Sequence, residues 1–240
     1  KLLAAPDLSY YRRCERQQRY TSLTHYFIGA FGAENISIEG KGKIDAAGEN
    51  FWEYDGKRHI EHHELTVFSG IPHYTANPER PTTIYLVECK NVSLKDFHIN
   101  NAPAYTVWLL GCEDFQIDGL TIRNNRLGPN TDAIDIDCCI NGHIRNCDID
   151  AGDDCIAIKS DIALLGRDMP CQNIKVSDCK LSSTCCAIRL GYEGDGEIKD
   201  CTFKNIYVYD TNKGIDLLAL VPRGQRFEIK KGSKIENIHF

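Results

Sequence analysis

The 240-residue sequence has no long apolar run and no surplus of positive charge. A bilayer-spanning helix needs about 20 consecutive apolar residues, and no stretch of this chain comes near that length. The net charge is −6 and the isoelectric point is near 5.8. Because phosphate backbones are bound by basic surfaces, this balance argues against nucleic acid as the partner. It argues less strongly against an anionic polymer, because a basic cleft can lie in an acidic protein.

The two ends of the sequence have few recognisable features. No signal peptide is visible at the N-terminus, which opens on Lys1. Residues 235–240 read as half of a repeat unit of the kind described below. A chain of 240 residues suffices for one hydrophobic core, so we expect one domain over residues 1–240, trimmed at both ends.

Helical periodicity is also scarce, and short strand-like runs take its place. No stretch sustains apolar residues at i, i+3 and i+4, whereas alternating β-branched runs recur at intervals of 22–32 residues. Each unit reads apolar, polar, apolar, polar, then Asn, Asp or Gly, then Cys or a larger apolar residue. This order is typical of a short strand, a left-handed bend and a second strand. The units are residues 92–99, 115–122, 143–149, 174–181 and 197–203.

A second column of apolar residues runs between these units at a similar spacing. Two interleaved columns with this period predict a solenoid, and strands without helices predict an all-β fold of the parallel β-helix type. A leucine-rich repeat is excluded because its LxxLxLxxN pattern is absent. The pairs are Val107 and Leu109, Ile134 and Ile136, Ile156 and Ile158, Ile188 and Leu190, and Ile215 and Leu217.

Twelve cysteines are many for a chain of this length. One interpretation is a disulfide scaffold, and the other is a set of small apolar residues that stay reduced inside the core. The repeat favours the second, because it aligns several cysteines in one inward column. The pairs Cys138-Cys139 and Cys185-Cys186 lack CxxC spacing, which argues against zinc. The predicted inward ladder contains Phe97, Leu120, Cys147, Cys179 and Cys201.

Residues 45–80 interrupt the period and are crowded with aromatic residues and histidines. We expect an insertion between two coils that forms a wall beside a cleft, since loops often carry function. The nearby His59, His62 and His63 raise the alternative of a metal site. However, the EHHE sequence at residues 61–64 lacks the i, i+4 ligand spacing of zinc-binding helices, which favours a solvated loop.

Charged residues flank the second column on the side that alternation turns away from the core. Asp132 lies one coil, 21 and 22 residues, before Asp153 and Asp154, so the three carboxylates converge within two strand spacings of about 4.8 Å each. A solvated acidic patch, or turn-forming aspartates, would explain them without chemistry. Alternatively, crowding raises at least one pKa, which suits the general acid and base of glycoside cleavage. The same face is expected to carry Trp108, Asp135, Asp137, Lys159, Arg189 and Asp216.

Two motifs around these aspartates resemble the polygalacturonase family of glycoside hydrolases. Residues 130–136, NTDAIDI, resemble the family's NTDGIDI motif, and residues 152–160, GDDCIAIKS, resemble its GDDCIAIKS motif. Residues 80–92 and 102–107 look like the family's coils before the active site, and the resemblance covers roughly residues 25–220. It implies a right-handed, single-stranded parallel β-helix that cleaves an α-linked pectic or related glycan.

By the same resemblance, Asp153 is the general acid, Asp132 and Asp154 hold the attacking water, and the anomeric configuration inverts. Such a reaction needs neither a metal nor an organic cofactor. A polysaccharide or oligosaccharide substrate implies a secreted or periplasmic protein; no nucleic acid, no membrane and no particular oligomeric state is predicted. The candidate substrate-binding residues are Asn130, Asp135, Lys159, Arg189 and Lys213.

Two family motifs are missing from this sequence. The family's GHG histidine is expected where residues 185–187 read CCA, and its RIK motif where residues 216–218 read DLL. In the family, the arginine and lysine of RIK hold a substrate carboxylate, for which cations are suited. Asp216 places the opposite charge there. Arg189 and Lys213 then either form an altered receptor, or Arg189 simply pairs with Asp216.

Three functions compete on this scaffold. The first is an inverting glycoside hydrolase, which the three retained aspartates favour. The second is a polysaccharide lyase, which would want a basic catalytic residue and usually calcium, and the acidic trio disfavours it. The third is a non-catalytic β-helix that binds glycan or stacks in an assembly, which the loss of the two motifs favours. Release of reducing sugar separates the first function from the third.

Overall fold

The computed structural model describes residues 1–14, 25–54, 74–76, 79–219 and 230–240, and strands dominate these ranges. They include one α-helix, the four-residue α1 (Ile162–Leu165), and two 3-10 helices, Leu8–Tyr10 and Gly48–Phe51. The strands are β1 (Leu2–Leu3), β2 (Arg12–Arg13), β3 (His25–Phe31), β4 (Glu34–Glu39), β5 (Lys43–Asp45), β6 (Trp52–Tyr54), β7 (Tyr74–Ala76), β8 (Pro81–Val87), β9 (Lys90–Lys95), β10 (His98–Asn100), β11 (Val107–Leu110), β12 (Glu113–Asp118), β13 (Thr121–Arg123), β14 (Ile134–Asp137), β15 (Ile140–Arg145), β16 (Asp148–Ala151), β17 (Ile156–Lys159), β18 (Cys171–Ser183), β19 (Cys186–Gly191), β20 (Glu197–Val208), β21 (Lys213–Leu218) and β22 (Lys234–His239).

Two sheets run along the axis of a β-helix. The eight-stranded sheet has the order β2-β3-β8-β11-β14-β17-β19-β21, and from β3 onward every neighbouring pair is parallel. The twelve-stranded sheet has the order β1-β5-β10-β13-β16-β18-β15-β12-β9-β4, with β20 beside β18 and β22 beside β20. The long strand β18 joins its two arms, because its first half pairs with β15 and its second half with β16. The predicted parallel β-helix is confirmed.

The second apolar column is stacked as predicted. Ile134 pairs with Ile156, Ile156 with Ile188, and Ile188 with Ile215 in successive strands of the eight-stranded sheet. The first three are at most 1% exposed, whereas Ile215, on the last strand of this sheet, is 48% exposed. The outward row is in the same register: Trp108 pairs with Asp135, and Arg189 with Asp216. The inside of the helix is therefore an aliphatic stack, and the opposite face of the same strands carries the charges.

Left-handed residues turn the chain at the corners between strands, as the repeat predicts. Because an L residue with a Cβ pays for this conformation, Asn, Asp and Gly are favoured there. Successive corners also bond to each other, as when Asn205 Nδ2 donates to Asp178 Oδ1 over 3.0 Å. One such row, all at positive φ, consists of Asp96, Gly119, Asn146, Asp178 and Asn205.

The twelve cysteines are all buried and free of disulfides. Cys147 and Cys179 stack as predicted, since the flanking Asp148 pairs with Lys180. A second ladder of cysteines, which was not predicted from the repeat, lies at the start of β9, β12, β15 and β18. The strand registers place these four cysteines above one another. Its members are Cys89, Cys112, Cys139 and Cys171. The interpretation of the cysteines as reduced core residues agrees with this packing.

The predicted place of Cys201 in the inward ladder is wrong. Cys179 pairs with Ile206, and Cys201 lies over Ile174 instead. The error arises because Asp178-Cys179 and Asp200-Cys201 are alike in sequence but occupy different corners of their coils. The true offset of 27 residues places the apolar residues of β20 over those of β18.

The described ends of the segment 45–80 leave the coil. There β6 and β7 form an antiparallel pair of their own. His59, His62 and His63, on which the metal alternative rests, lie outside the described residues. Among the described helices, none has the length and apolar character to cross a membrane.

Candidate active site

Three aspartates meet where strands β14 and β17 begin. Asp132 and Asp154 each lie two residues before their strand. The carbonyl of Asp154 accepts a hydrogen bond from the N–H of Ala133 over 2.8 Å. The two carboxyl groups therefore come from adjacent coils, whose strands lie about 4.8 Å apart. Together with Asp153 they line one pocket of about 260 Å³, near the lower end of ligand-pocket sizes. The rest of its wall consists of Tyr105, Asn130, Arg189, Tyr192, Glu193, Lys213 and Leu218.

Asp132 is the most isolated carboxyl of the trio. Its side chain is 5% exposed, its Oδ2 lies 3.9 Å from Lys159 Nζ, and its Oδ1 accepts no hydrogen bond from any described residue. Burial first, and then the negative charges of Asp153 and Asp135, raise its pKa well above the ordinary value. Asp132 therefore holds a proton more readily than an exposed aspartate.

Asp154, by contrast, is fully engaged. Its Oδ2 accepts a hydrogen bond from Arg189 Nε over 2.5 Å, and its Oδ1 lies 3.1 Å from the sulfur of Cys185. The guanidinium also donates through Nη1 to Asp216 Oδ2 at 2.9 Å, and Lys213 Nζ shares that same oxygen at 3.0 Å. A buried guanidinium in contact with a carboxylate compensates its negative charge, so the protein itself supplies a cation at Asp154.

The predicted ion pair of Arg189 with Asp216 is thus present, and Arg189 forms a second ion pair with Asp154. Arg189 is only 6% exposed at its side chain and links two carboxylates from different coils. Its Nη2 also contacts the sulfur of Cys185 at 3.1 Å, so each of the three guanidinium nitrogens has a partner within the protein.

A second buried network lies behind the pocket wall. Lys159 Nζ is 2.8 Å from Asp135, 3.0 Å from the hydroxyl of Tyr105 and 3.5 Å from Glu193. Burial raises the pKa of Asp135 while the neighbouring ammonium opposes the shift, and the surrounding carboxylates raise the pKa of Lys159 against the effect of burial. This network holds Tyr105 and Glu193 in place on the wall.

The aspartates on the outer face of the strands are also shielded from solvent. Asp135 is 0% and Asp137 1% exposed, and Asp137 Oδ1 accepts a hydrogen bond from the N–H of Asp161 over 2.7 Å. Burial, followed by the charge of Asp161, raises the pKa of Asp137 to about 8. Leu164 and Leu165 of α1 pack beside Trp108 on this face. The charged side chains of the outer face are therefore buried, as the isoleucines of the inner face are.

A group of side chains at the edge of the pocket has the dimensions of a cation site. Ligand atoms of Asp153, Asp154 and Cys185 all lie within 4.8 Å of one another. Burial raises the pKa of the Cys185 thiol, so it stays protonated, whereas metals bind the thiolate. With Arg189 already compensating Asp154, the donors fit a proton-transfer site better than a metal centre.

The candidate substrate-binding residues divide into two groups. Asn130, Arg189 and Lys213 line the pocket, as expected. Asp135 and Lys159 lie behind the wall, where their burial and mutual contact keep them from a substrate, so direct binding by these two residues is corrected to support of the wall.

Two wall residues were not singled out from the sequence. Tyr192 and Glu193 follow β19 in a tight turn, with positive φ at Gly191, Tyr192 and Gly194. The sequence feature that could have identified them is their position directly after β19, the strand that carries Arg189. Glu193 also contacts Lys159 at the end of the neighbouring strand β17.

The chain is similar in sequence to known proteins. The sequence profile of glycosyl hydrolases family 28 matches residues 14–171. A probable polygalacturonase of Vitis vinifera is 29% identical over 86% of this chain and 39% of its own length, and a polygalacturonase of Chamaecyparis obtusa is 31% identical over 65% and 27%. The chain thus spans well under half the length of these relatives.

The fold is also that of a solved relative. The crystal structure of a hyperthermoactive exopolygalacturonase from Thermotoga maritima superposes with a TM-score of 0.74, at 22% identity, over 98% of this chain and 57% of that one. The profile match includes Asp132, Asp153 and Asp154, the residues that meet in the pocket. With two thirds of the sequence matched and the β-helix in common, this chain belongs to glycosyl hydrolases family 28.

Proposed function

We propose that this chain carries the active site of an inverting glycoside hydrolase that cleaves an α-linked pectic or related glycan. The observation that carries the proposal is the difference in surroundings among three carboxyls in one pocket. Asp132 is buried with a free oxygen and a raised pKa, whereas Asp154 is compensated by Arg189. Carboxyls in different surroundings within one pocket are what general acid and general base catalysis require.

The roles are those that the resemblance of the two motifs implies, and the exposure of the three carboxyls is compatible with them. Asp153, the most exposed of the three, is placed to protonate the leaving glycosidic oxygen as general acid. Asp132 and Asp154 hold the attacking water, and Asp132 takes its proton once it is ionised; because its pKa is raised, this role requires a higher pH than an exposed aspartate would need. Asn130, Arg189 and Lys213 border the sugar.

The substrate class rests on the relatives, which are named as polygalacturonases. Because the chain spans only part of their length, pectic activity is proposed for the protein that contains it. A polymer of this kind is met outside the cell, so we place the protein as secreted or periplasmic.

The test is release of reducing sugar from a glycan panel by the full chain and by Asp153→Asn. The substitution should lower kcat by about 10²–10⁴-fold, as for other general acids, and leave Tm unchanged or higher because it relieves like-charge repulsion. Asp114→Asn is the matched control: it removes the same charge at an exposed, left-handed corner where Asn is well tolerated.

The assignment of roles has its own readout. An aryl glycoside with a good leaving group should rescue Asp153→Asn but neither Asp132→Asn nor Asp154→Asn, because only the first lacks the acid. Rescue of Asp132→Asn instead would reverse the roles. An unsaturated product would show a lyase, and glycan binding without new reducing ends would show a non-catalytic β-helix.

A further inference from the structure

We infer that the wall formed by Arg189, Lys213 and Leu218 receives a neutral sugar ring rather than a uronic acid. This inference rests on the proposed function and names the class of sugar at that site. The reason is that the cations of this wall are already neutralised by carboxylates of the same chain.

The ion pairs on this wall can be followed one by one. Arg189 Nε contacts Asp154 at 2.5 Å and its Nη1 contacts Asp216 at 2.9 Å, and its side chain is 6% exposed. Lys213 Nζ lies 3.0 Å from the same oxygen of Asp216. One carboxylate thus occupies the space between the two cations, where a substrate carboxylate would otherwise bind.

The remaining charge in the pocket is negative. Among the described residues that line it, the acidic groups Asp132, Asp153, Asp154 and Glu193 face two cations, Arg189 and Lys213, both held by Asp216. Lys159, behind the wall, is taken by Asp135. A uronate would bring a further carboxylate beside groups of like charge, which is costly in a partly buried site.

The wall suits a neutral ring in two further ways. Carboxylates only accept hydrogen bonds, and sugar hydroxyls supply the donors, whereas the carboxylate of a uronate replaces a donor by two acceptors. The wall also offers apolar surface from Tyr105, Tyr192 and Leu218, on which the C–H face of a pyranose can pack.

The experiment compares two substrates that differ at one carbon. The first is a series of oligomers of α-1,4-linked galacturonic acid, and the second is the same series with each carboxyl reduced to the primary alcohol. The full chain should bind and cleave the neutral series with a kcat/KM about 10-fold or more above that of the acidic series, the worth of one charge-assisted hydrogen bond gained or lost.

Asp216→Asn sharpens the comparison, because it frees Arg189 and Lys213 with little change of shape. The ratio of kcat/KM for the acidic over the neutral series should rise about 10-fold or more, through KM. Asp114→Asn, which removes the same net charge at an exposed corner, should leave the ratio where it is in the parent chain. A ratio that moves equally in both variants would show a long-range charge effect and overturn the inference.

The two proposals fail in different ways. Equilibrium binding of both series to the parent chain is measured beside cleavage. If the neutral series binds more tightly but is not hydrolysed, the proposal of an enzyme is wrong and the inference of a neutral subsite stands. Tighter binding or faster cleavage of the acidic series, or no binding of either, overturns the neutral subsite.

Discussion

The two faces of strands β14, β17 and β19 are equally buried but chemically opposite. Inward, Ile134, Ile156 and Ile188 stack at no more than 1% exposure. Outward, Asp135 and Arg189 are only 0% and 5% exposed. The inner face is held by non-directional apolar contact, so neighbours of similar volume can replace each other. The outer face is held by paired charges, each of which needs its partner. Losing one member should therefore cost more on the outer face.

The largest expected loss of stability is from Arg189→Ala. It leaves Asp154 buried without its cation, and breaking one side of a buried pair costs about 3–5 kcal/mol of unfolding free energy. Urea unfolding measures this loss. Adding Asp154→Asn should recover much of it, so the double-mutant cycle shows strong coupling. Additive effects of the two substitutions would mean that the bridge contributes little.

On the inner face, Ile156→Ala should cost about 2–5 kcal/mol, the range for a large-to-small change in a well-packed core. Ile156 pairs with Ile134 and Ile188, so the cavity opens in the middle of the stack. Ile156→Val should cost only a fraction of this, which the outer face does not permit for Arg189→Lys. If Ile156→Val lowers the unfolding free energy as much as Arg189→Lys does, the two faces do not differ in this way.

Another effect depends on pH. The pKa of Asp137 is raised to about 8, so between its ordinary value of 3.8 and about 8 the folded chain keeps a proton that the unfolded chain has lost. The unfolding free energy consequently falls as the pH rises through this window, by at most about 1.4 kcal/mol per pH unit. Asp137→Asn removes this contribution, so the variant should gain stability relative to the parent between pH 4 and pH 8.

Asp178 is the control of opposite sign, because its side-chain hydrogen bond with Asn205 lowers the pKa of an exposed carboxyl. Relative to Asp178→Asn, the parent should lose stability as the pH falls through the carboxyl range rather than as it rises. A parent and Asp137→Asn with parallel pH profiles would show that Asp137 is ionised in the folded chain.

The sequence predicts the inner face more completely than the outer one. Alternation of apolar and polar residues fixes which side of a strand points inward, and the period aligns the coils, so Ile134, Ile156 and Ile188 are placed correctly. Register fails at Cys201, where two corners share the Asp-Cys pair and only the fit of the whole strand β20 over β18 decides between them.

On the outer face, the motifs bring Asp132, Asp153 and Asp154 together, but the network around them depends on how loops close. Lys159 contacts Glu193 in the turn after β19, and the short helix α1 packs beside Trp108 on the same face; neither feature repeats from coil to coil. Periodicity therefore identifies an outward charge without showing whether it meets solvent, substrate or a partner. That distinction separates Asn130, on the wall, from Asp135, behind it.

The corners between the two faces give the smallest effect. Asn205 has φ 54° and donates from Nδ2 to Asp178 Oδ1 over 3.0 Å at an exposed position. Asn205→Ala places a Cβ in left-handed backbone without the amide, which should cost about 1–2 kcal/mol. Asn205→Gly also loses the amide but relieves the backbone, so it should cost less than the alanine variant. Thermal unfolding of the three chains gives the ranking parent, Gly, Ala. If Gly is the less stable variant, the entropy lost on ordering glycine exceeds the strain of left-handed alanine, and backbone strain does not explain the preference for Asn at this corner.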